Sequence, residues 1–101
     1  MARLQMDDGT FVDTDNATKT WKEDTRWDGH NHISKATGSQ WEHETLYKSR
    51  KGRYFVVHSS AYQHKADRAE WIGNHAAASW LIANGHELPT DLAELEAELV
   101  D

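Results

Sequence analysis

The side chains best suited to chemistry gather in the run WDGHNHIS, residues 27–34. His30 and His32 lie two positions apart, so on an extended strand both imidazoles would point to one side. That spacing suits zinc or another imidazole-seeking ion. His43, inside WEHE, would add a third ligand if its strand passes alongside, and Asp28 a fourth. His30, His32 and His43 are therefore the candidate metal ligands, with zinc as the candidate cofactor. The competing reading is a polar turn closed by Asp28 or Asn31, with Trp27 as its aromatic anchor. The chain has no cysteine to complete a zinc site.

Other pairings carry less. Glu42 and Glu44 flank His43, but alternation along a strand puts the two acids on one face and the imidazole on the other. Ser59 and Ser60 follow His58 directly, and adjacency in sequence is not the geometry of a triad. Thr37-Gly38-Ser39 is too short for a phosphate loop. No catalytic residue is assigned, and the chain reads as a non-catalytic module.

The most specific feature is YKSRKGRY, residues 47–54, where Lys48, Arg50, Lys51 and Arg53 fall within six positions between Tyr47 and Tyr54. Cations of this kind meet phosphates, and aromatic rings can stack on exposed bases. Trp41, Lys65 and Arg68 would extend the patch. A charged hairpin tip is equally a device for solubility. Trp21 and Trp27 fall in polar segments and are candidate contact residues, whereas Trp71 and Trp80 are expected in the core. A protein partner is the first expectation and a nucleic acid the alternative, followed by a histidine-based metal enzyme.

The elements that must hold these residues are drawn from a thin apolar supply. Leu, Ile, Val and Phe make up 16 of 101 residues, with 5 Trp and 3 Tyr offsetting the shortage. Residues 1–68 hold all 11 Lys and Arg against 10 acids, while residues 69–101 hold 7 acids and no Lys or Arg. A near-neutral body is thus followed by an acidic stretch, so the net acidity does not exclude an anionic partner for the first part, and the unequal halves would steer association or favour head-to-tail self-contact. No apolar run is long enough for a membrane span, and nothing resembles a secretion signal. The expectation is a cytoplasmic protein with no membrane partner.

ARLQMDDGTFVD predicts a hairpin turning on Asp8-Gly9, with Met6 opposite Phe11 and Leu4 on the same face. DTDNATKTWKEDTRW fits a short helix capped at Thr14 or Asp15, or an irregular strand. WDGHNHISKATGSQ reads as loop. QWEHETLYKSR and KGRYFVVHSSA form the clearest strand pair, turning through Ser49-Arg50-Lys51-Gly52 with a glycine bulge. That register places Trp41, Tyr47, Phe55 and Val57 on one face and Glu44, Leu46, Lys48, Tyr54, Val56 and His58 on the other. Ala69 to Ile72 adds a short strand. Asn74 is expected to cap a helix with Ala77, Trp80, Leu81 and Asn84 on its inner stripe, ended by Gly85. A last helix, DLAELEAELV, aligns Leu92, Leu95 and Leu99, a face for the core or for a homodimer.

The sum is a single α+β domain. An antiparallel sheet of about four to five strands, built from N-terminal and central hairpins, is packed by one or two C-terminal helices. Residues 1–72 are mainly β and residues 73–101 helical.

Overall fold

A computed structural model describes residues 3–27, 29–30, 32–37, 42–60 and 67–100. Among them are eight strands: β1 Arg3–Gln5, β2 Phe11–Asp13, β3 Lys19–Lys22, β4 Thr25–Trp27, β5 His32–Ser34, β6 Glu42–Lys48, β7 Tyr54–Ser60 and β8 Arg68–Ile72. The helices are α1, Asn74–Ala83, and α2, Glu96–Leu99, the latter preceded by a 3-10 turn at Thr90–Leu95. The α+β expectation holds. Its centre is a four-stranded antiparallel sheet in the order β3-β6-β7-β8, joined by two small sheets, β1-β2 and β4-β5. No helix among the described residues is long and apolar enough to cross a membrane.

Period-two alternation in the central strands gives the sheet two apolar faces. Leu46 pairs with Val56 and Lys48 with Tyr54, so Leu46, Tyr54 and Val56 share the face covered by α1 and the 3-10 turn. Ala77, Ala78, Leu81 and Leu92 complete that cluster. Tyr47 pairs with Phe55 and Thr45 with Val57, which sends Phe55 and Val57 to the opposite face with Ala69. There the first hairpin lies over the sheet through Met6, Leu4 and Val12. The fold therefore has three layers, with a hairpin covering the face that the sequence left uncovered. Each fully buried aliphatic or aromatic side chain contributes about 1.5–3 kcal/mol to this arrangement.

The β1–β2 and β6–β7 hairpins turn in the same way. Ser49 and Gly52 close a type I turn, with the Gly52 N–H donating to the Ser49 carbonyl at 2.9 Å and the Ser49 N–H to the Arg53 carbonyl at 2.7 Å. Gly52 takes φ +88°, the left-handed position that completes the bulge. The register read from sequence for residues 42–60 is the register observed, Trp41 lying outside the described residues. At the first hairpin the two-residue Asp8-Gly9 turn is corrected to a three-residue loop, Asp7-Asp8-Gly9. Gly9 has φ +88°, and Met6 exchanges backbone bonds with Gly9 and Thr10. The Asp8 carboxylate accepts from the Thr10 hydroxyl (2.6 Å) and amide (3.0 Å), an arrangement that favours the tighter first bend. Gln5 consequently faces Phe11 and Leu4 faces Val12, so Met6 is buried while Phe11 is turned outward.

Residues 13–27 form no α-helix but a 3-10 turn and two short strands. Asp13 caps a single 3-10 turn at Thr14–Asn16, and β3 follows with Trp21 opposite Leu46. The segment read as loop, residues 27–40, contains β5 and the last residue of β4, the two strands pairing through Trp27 and His32. Helix α1 is capped by Gly73 rather than by Asn74, which is already its first helical residue. It ends as expected. Gly85 takes φ +75°, its N–H reaches the Ile82 carbonyl, and the His86 N–H reaches that of Leu81. Ala77, Leu81 and Asn84 are buried on the inner stripe and Trp80 is half-buried, as read. The last helix is corrected to a 3-10 turn followed by one short α-turn. Leu92 and Leu95, three apart, align on a three-residue repeat, and Leu99, four further on, continues the line in the α-turn. Leu92 is fully buried, and Leu95 and Leu99 pack half-buried on the same cluster.

Candidate functional site

The outward turn of Phe11 builds a cleft. Strand β2 and the 49–53 hairpin tip face each other across about 280 Å³, with Phe55 and Trp71 inside and Arg50, Lys51 and Arg53 on one rim. Phe11 is 61% exposed there, a large apolar surface left beside three cations. Trp71 is half-buried and fixed from several sides. Its Nε1–H donates to the Thr10 hydroxyl at 3.2 Å, and its backbone N–H donates to Asp7 at 3.1 Å. Phe55 meets Trp71 edge-on at 5.6 Å, and Tyr47 stacks on Phe55 at 5.1 Å. The Arg53 guanidinium lies 3.9 Å above the Trp71 ring, a cation–π contact. At the first hairpin's tip, hydrogen bonds from the Thr10 hydroxyl and amide hold the Asp8 carboxyl below its ordinary value. They do so against desolvation, with smaller help from Trp71 and Arg53. The cleft is thus bordered by a preformed aromatic row and by charges of both signs.

The residues of the basic hairpin divide between two faces. Arg50 and Lys51 are exposed at the tip, and Arg53 belongs to the cleft. Tyr47 is half-buried on the same side of the sheet. Lys48 and Tyr54 point the other way. The Lys48 ammonium sits 3.2 Å from Asp91, and the Tyr54 hydroxyl donates to Asp91 at 2.8 Å. Tyr54 is only 1% exposed and offers no face for stacking. Burial, then the bond to Asp91, pushes its phenol up. Burial pushes the Asp91 carboxyl up as well, but bonds from Tyr54 and Lys48 outweigh it and hold that carboxyl below its usual range.

The histidines are distributed among separate contacts. His43 Nδ1 meets Glu23 Oε1, while the Ser34 hydroxyl and the Glu44 amide donate to Glu23 Oε2. The carboxylate stands between hydroxyl and imidazole, so the imidazole does not touch the hydroxyl and the trio lacks the serine–histidine–acid order of a triad. Ser34 is buried, and its oxygen also accepts the Ala36 and Thr37 amides, the role of a turn-closing group. His43 and Glu44 do face opposite ways, as alternation requires. His58 bridges two carboxylates, Glu44 through Nδ1 and Glu70 through Nε2, each at 2.9 Å, and Trp80 Nε1–H donates to Glu44 at 3.1 Å. His32 lies against the ring of Trp27 at 5.1 Å, and His30 sits exposed in the connecting turn. Among the described residues, no three His, Asp or Glu side chains are arranged to hold a metal ion. Asp28, Asn31, Gly38, Ser39 and Lys65 fall outside the described residues.

Of the tryptophans read as contact residues, Trp27 is 61% exposed, whereas Trp21 is half-buried against Tyr54 at a ring separation of 6.0 Å. Trp71 and Trp80 are half-buried at the margins of the two clusters rather than enclosed by them. Sequence reasoning missed Phe11 and Trp71 as cleft residues. The signal was present in the match between Asp7-Asp8-Gly9 and Arg50-Lys51-Gly52, since two loops of the same length and glycine position imply the same bulge. No protein-family model, curated protein or solved structure matches the chain.

Proposed function

We propose that this chain is a small non-catalytic module that binds another protein through the cleft between its two hairpin tips. The observation that carries the reading is Phe11, exposed at the mouth of an aromatic-lined cleft with Arg50, Lys51 and Arg53 on one rim. Aromatic and arginine side chains dominate the binding energy of protein interfaces, most of all when held rigidly. Trp71 and Arg53 are held in this way before any partner arrives. A nucleic acid is the weaker reading. Lys48 and Tyr54 are engaged by Asp91, and Asp13 lines the same cleft, so a polyanion would meet about three cations beside an acid.

Photo-crosslinking tests the proposal. A benzophenone analogue of phenylalanine at position 11 is compared with the same group at Ser79, an exposed position on the opposite layer. The expected result is a protein adduct at position 11 that survives nuclease, is absent at position 79 and is lost in an Arg50→Glu, Lys51→Glu variant. Recovery of a nucleic-acid adduct, or equal adducts at both positions, overturns it.

A further inference from the structure

We infer that the group recognised by the cleft is an aromatic side chain on a peptide segment that carries carboxylates on one side of the ring, the side that meets the 50–53 tip. The inference rests on the binding-module reading above and goes beyond it by specifying the partner's chemistry. Three observations converge on it. Phe11 and Trp71 supply accessible aromatic surface to a space of about 280 Å³, with buried Phe55 behind them. That volume lies at the lower end of ligand pockets and suits one ring with its adjoining backbone rather than a large ligand. A ring entering between Phe11 and Trp71, which Phe55 already meets edge to face from beneath, extends an aromatic array whose offset and edge-on contacts are favourable.

The rim sets the charge. Arg50 and Lys51 are exposed beside the cleft. The central carbon of the Arg53 guanidinium sits 3.9 Å over the centre of the Trp71 ring, and because guanidinium N–H groups lie in the plane of that group, lying flat on the indole would leave an edge for a carboxylate in a forked, two-bond contact. The opposite rim carries Asp13 and Asn16, which accept rather than repel a donor. The cleft is therefore polarised, with acids favoured toward the 50–53 tip and amide or basic donors toward Asp13. Carboxylates confined to the side of the 50–53 tip fit this mixed rim better than a continuous run of phosphates, part of which would lie against Asp13.

The test is a fluorescence-anisotropy titration of the intact protein with a labelled synthetic peptide that has glutamates on one side of a phenylalanine and uncharged residues on the other. Replacing that phenylalanine with alanine, or the glutamates with lysine, is expected to weaken binding about tenfold or more. On the protein side, Phe11→Ala and the Arg50→Glu, Lys51→Glu pair should each do the same. Both change exposed positions, and an unchanged thermal midpoint checks the fold. Equal affinity for the phenylalanine-free peptide, no effect of Phe11→Ala, or no binding at about 1 mM peptide overturns the inference. A position-11 crosslink to a protein despite a silent peptide means that the module reading stands and this one fails. Loss of both means that the module reading itself fails.

Discussion

Replacing Tyr54 with phenylalanine should destabilise the protein near neutral pH and progressively less above pH 10. The hydroxyl is buried and donates to a carboxylate at 2.8 Å, a bond of the charge-assisted kind, with a net contribution of about 1.5–3 kcal/mol. Its removal strands nothing. Asp91 keeps Lys48 at 3.2 Å, and its side chain is 40% exposed to water, so the lower end, about 1.5 kcal/mol, applies. The pH dependence follows from the phenol being raised above its ordinary 10.0, first by burial and then by Asp91. A raised value means full stabilisation below the unfolded value and loss as the pH climbs from there toward the folded one. Above about pH 10 the unfolded chain releases a proton that the native chain retains, and stability falls by up to about 1.4 kcal/mol per pH unit. The variant lacks that slope. Urea unfolding of both proteins from about pH 8 to pH 11 should therefore show the difference between them shrinking from about 1.5 kcal/mol to near zero. Tyr47, also pushed up chiefly by burial, is common to both and cancels. A difference that stays constant through pH 11 refutes the reasoning.

Two other perturbations probe the helical cover and the hairpin tip. Leu92 is fully buried against Leu81 and the alanines of α1, so Leu92→Ala should cost about 2–5 kcal/mol in urea unfolding. A loss below about 1 kcal/mol would mean that the 3-10 turn is not anchored as described. At the basic tip, Gly52→Ala forces a Cβ into φ +88° and should cost about 1–2 kcal/mol, whereas Gly52→Asn, which tolerates the left-handed region, should cost about half as much. Equal effects of the two substitutions would argue against the bulge.

The central hairpin was readable because its sequence allows few alternatives. Ser49-Arg50-Lys51-Gly52 fits one bulged turn, and the resulting parity puts Leu46, Val56 and Tyr54 on one face. Ala77, Leu81 and Gly85 were equally plain, the stripe and the left-handed stop agreeing on the span of α1. The first hairpin was less determinate, because Asp8-Gly9 suits a two-residue turn and Asp7-Asp8-Gly9 a three-residue one. A single residue of loop decides whether Phe11 enters the core or faces solvent. The short strands β4 and β5 were hidden by polar composition, since their pairing depends on tertiary contacts rather than on β-propensity. Leu92, Leu95 and Leu99 pointed to one apolar face without showing that a 3-10 turn would bring it about. The cleft was hardest to foresee, as its walls come from β2, β8 and the 49–53 tip, which only the fold brings together.

The two apolar clusters sit on opposite faces of β7 and share no side chain. Detachment of the β1–β2 hairpin would expose Met6, Leu4 and Val12 and break the two bonds from Trp71, yet leave the helix-covered cluster whole. Such an opening has its own free energy, below that of global unfolding, and makes the hairpin a separate cooperative unit. Since β2 forms one wall of the cleft, the population of that unit sets the fraction of molecules able to bind. Amide exchange should be fastest in residues 3–13 and slowest at the paired centre of β6 and β7. Ligand in the cleft would slow exchange of the first set by the margin of its own occupancy.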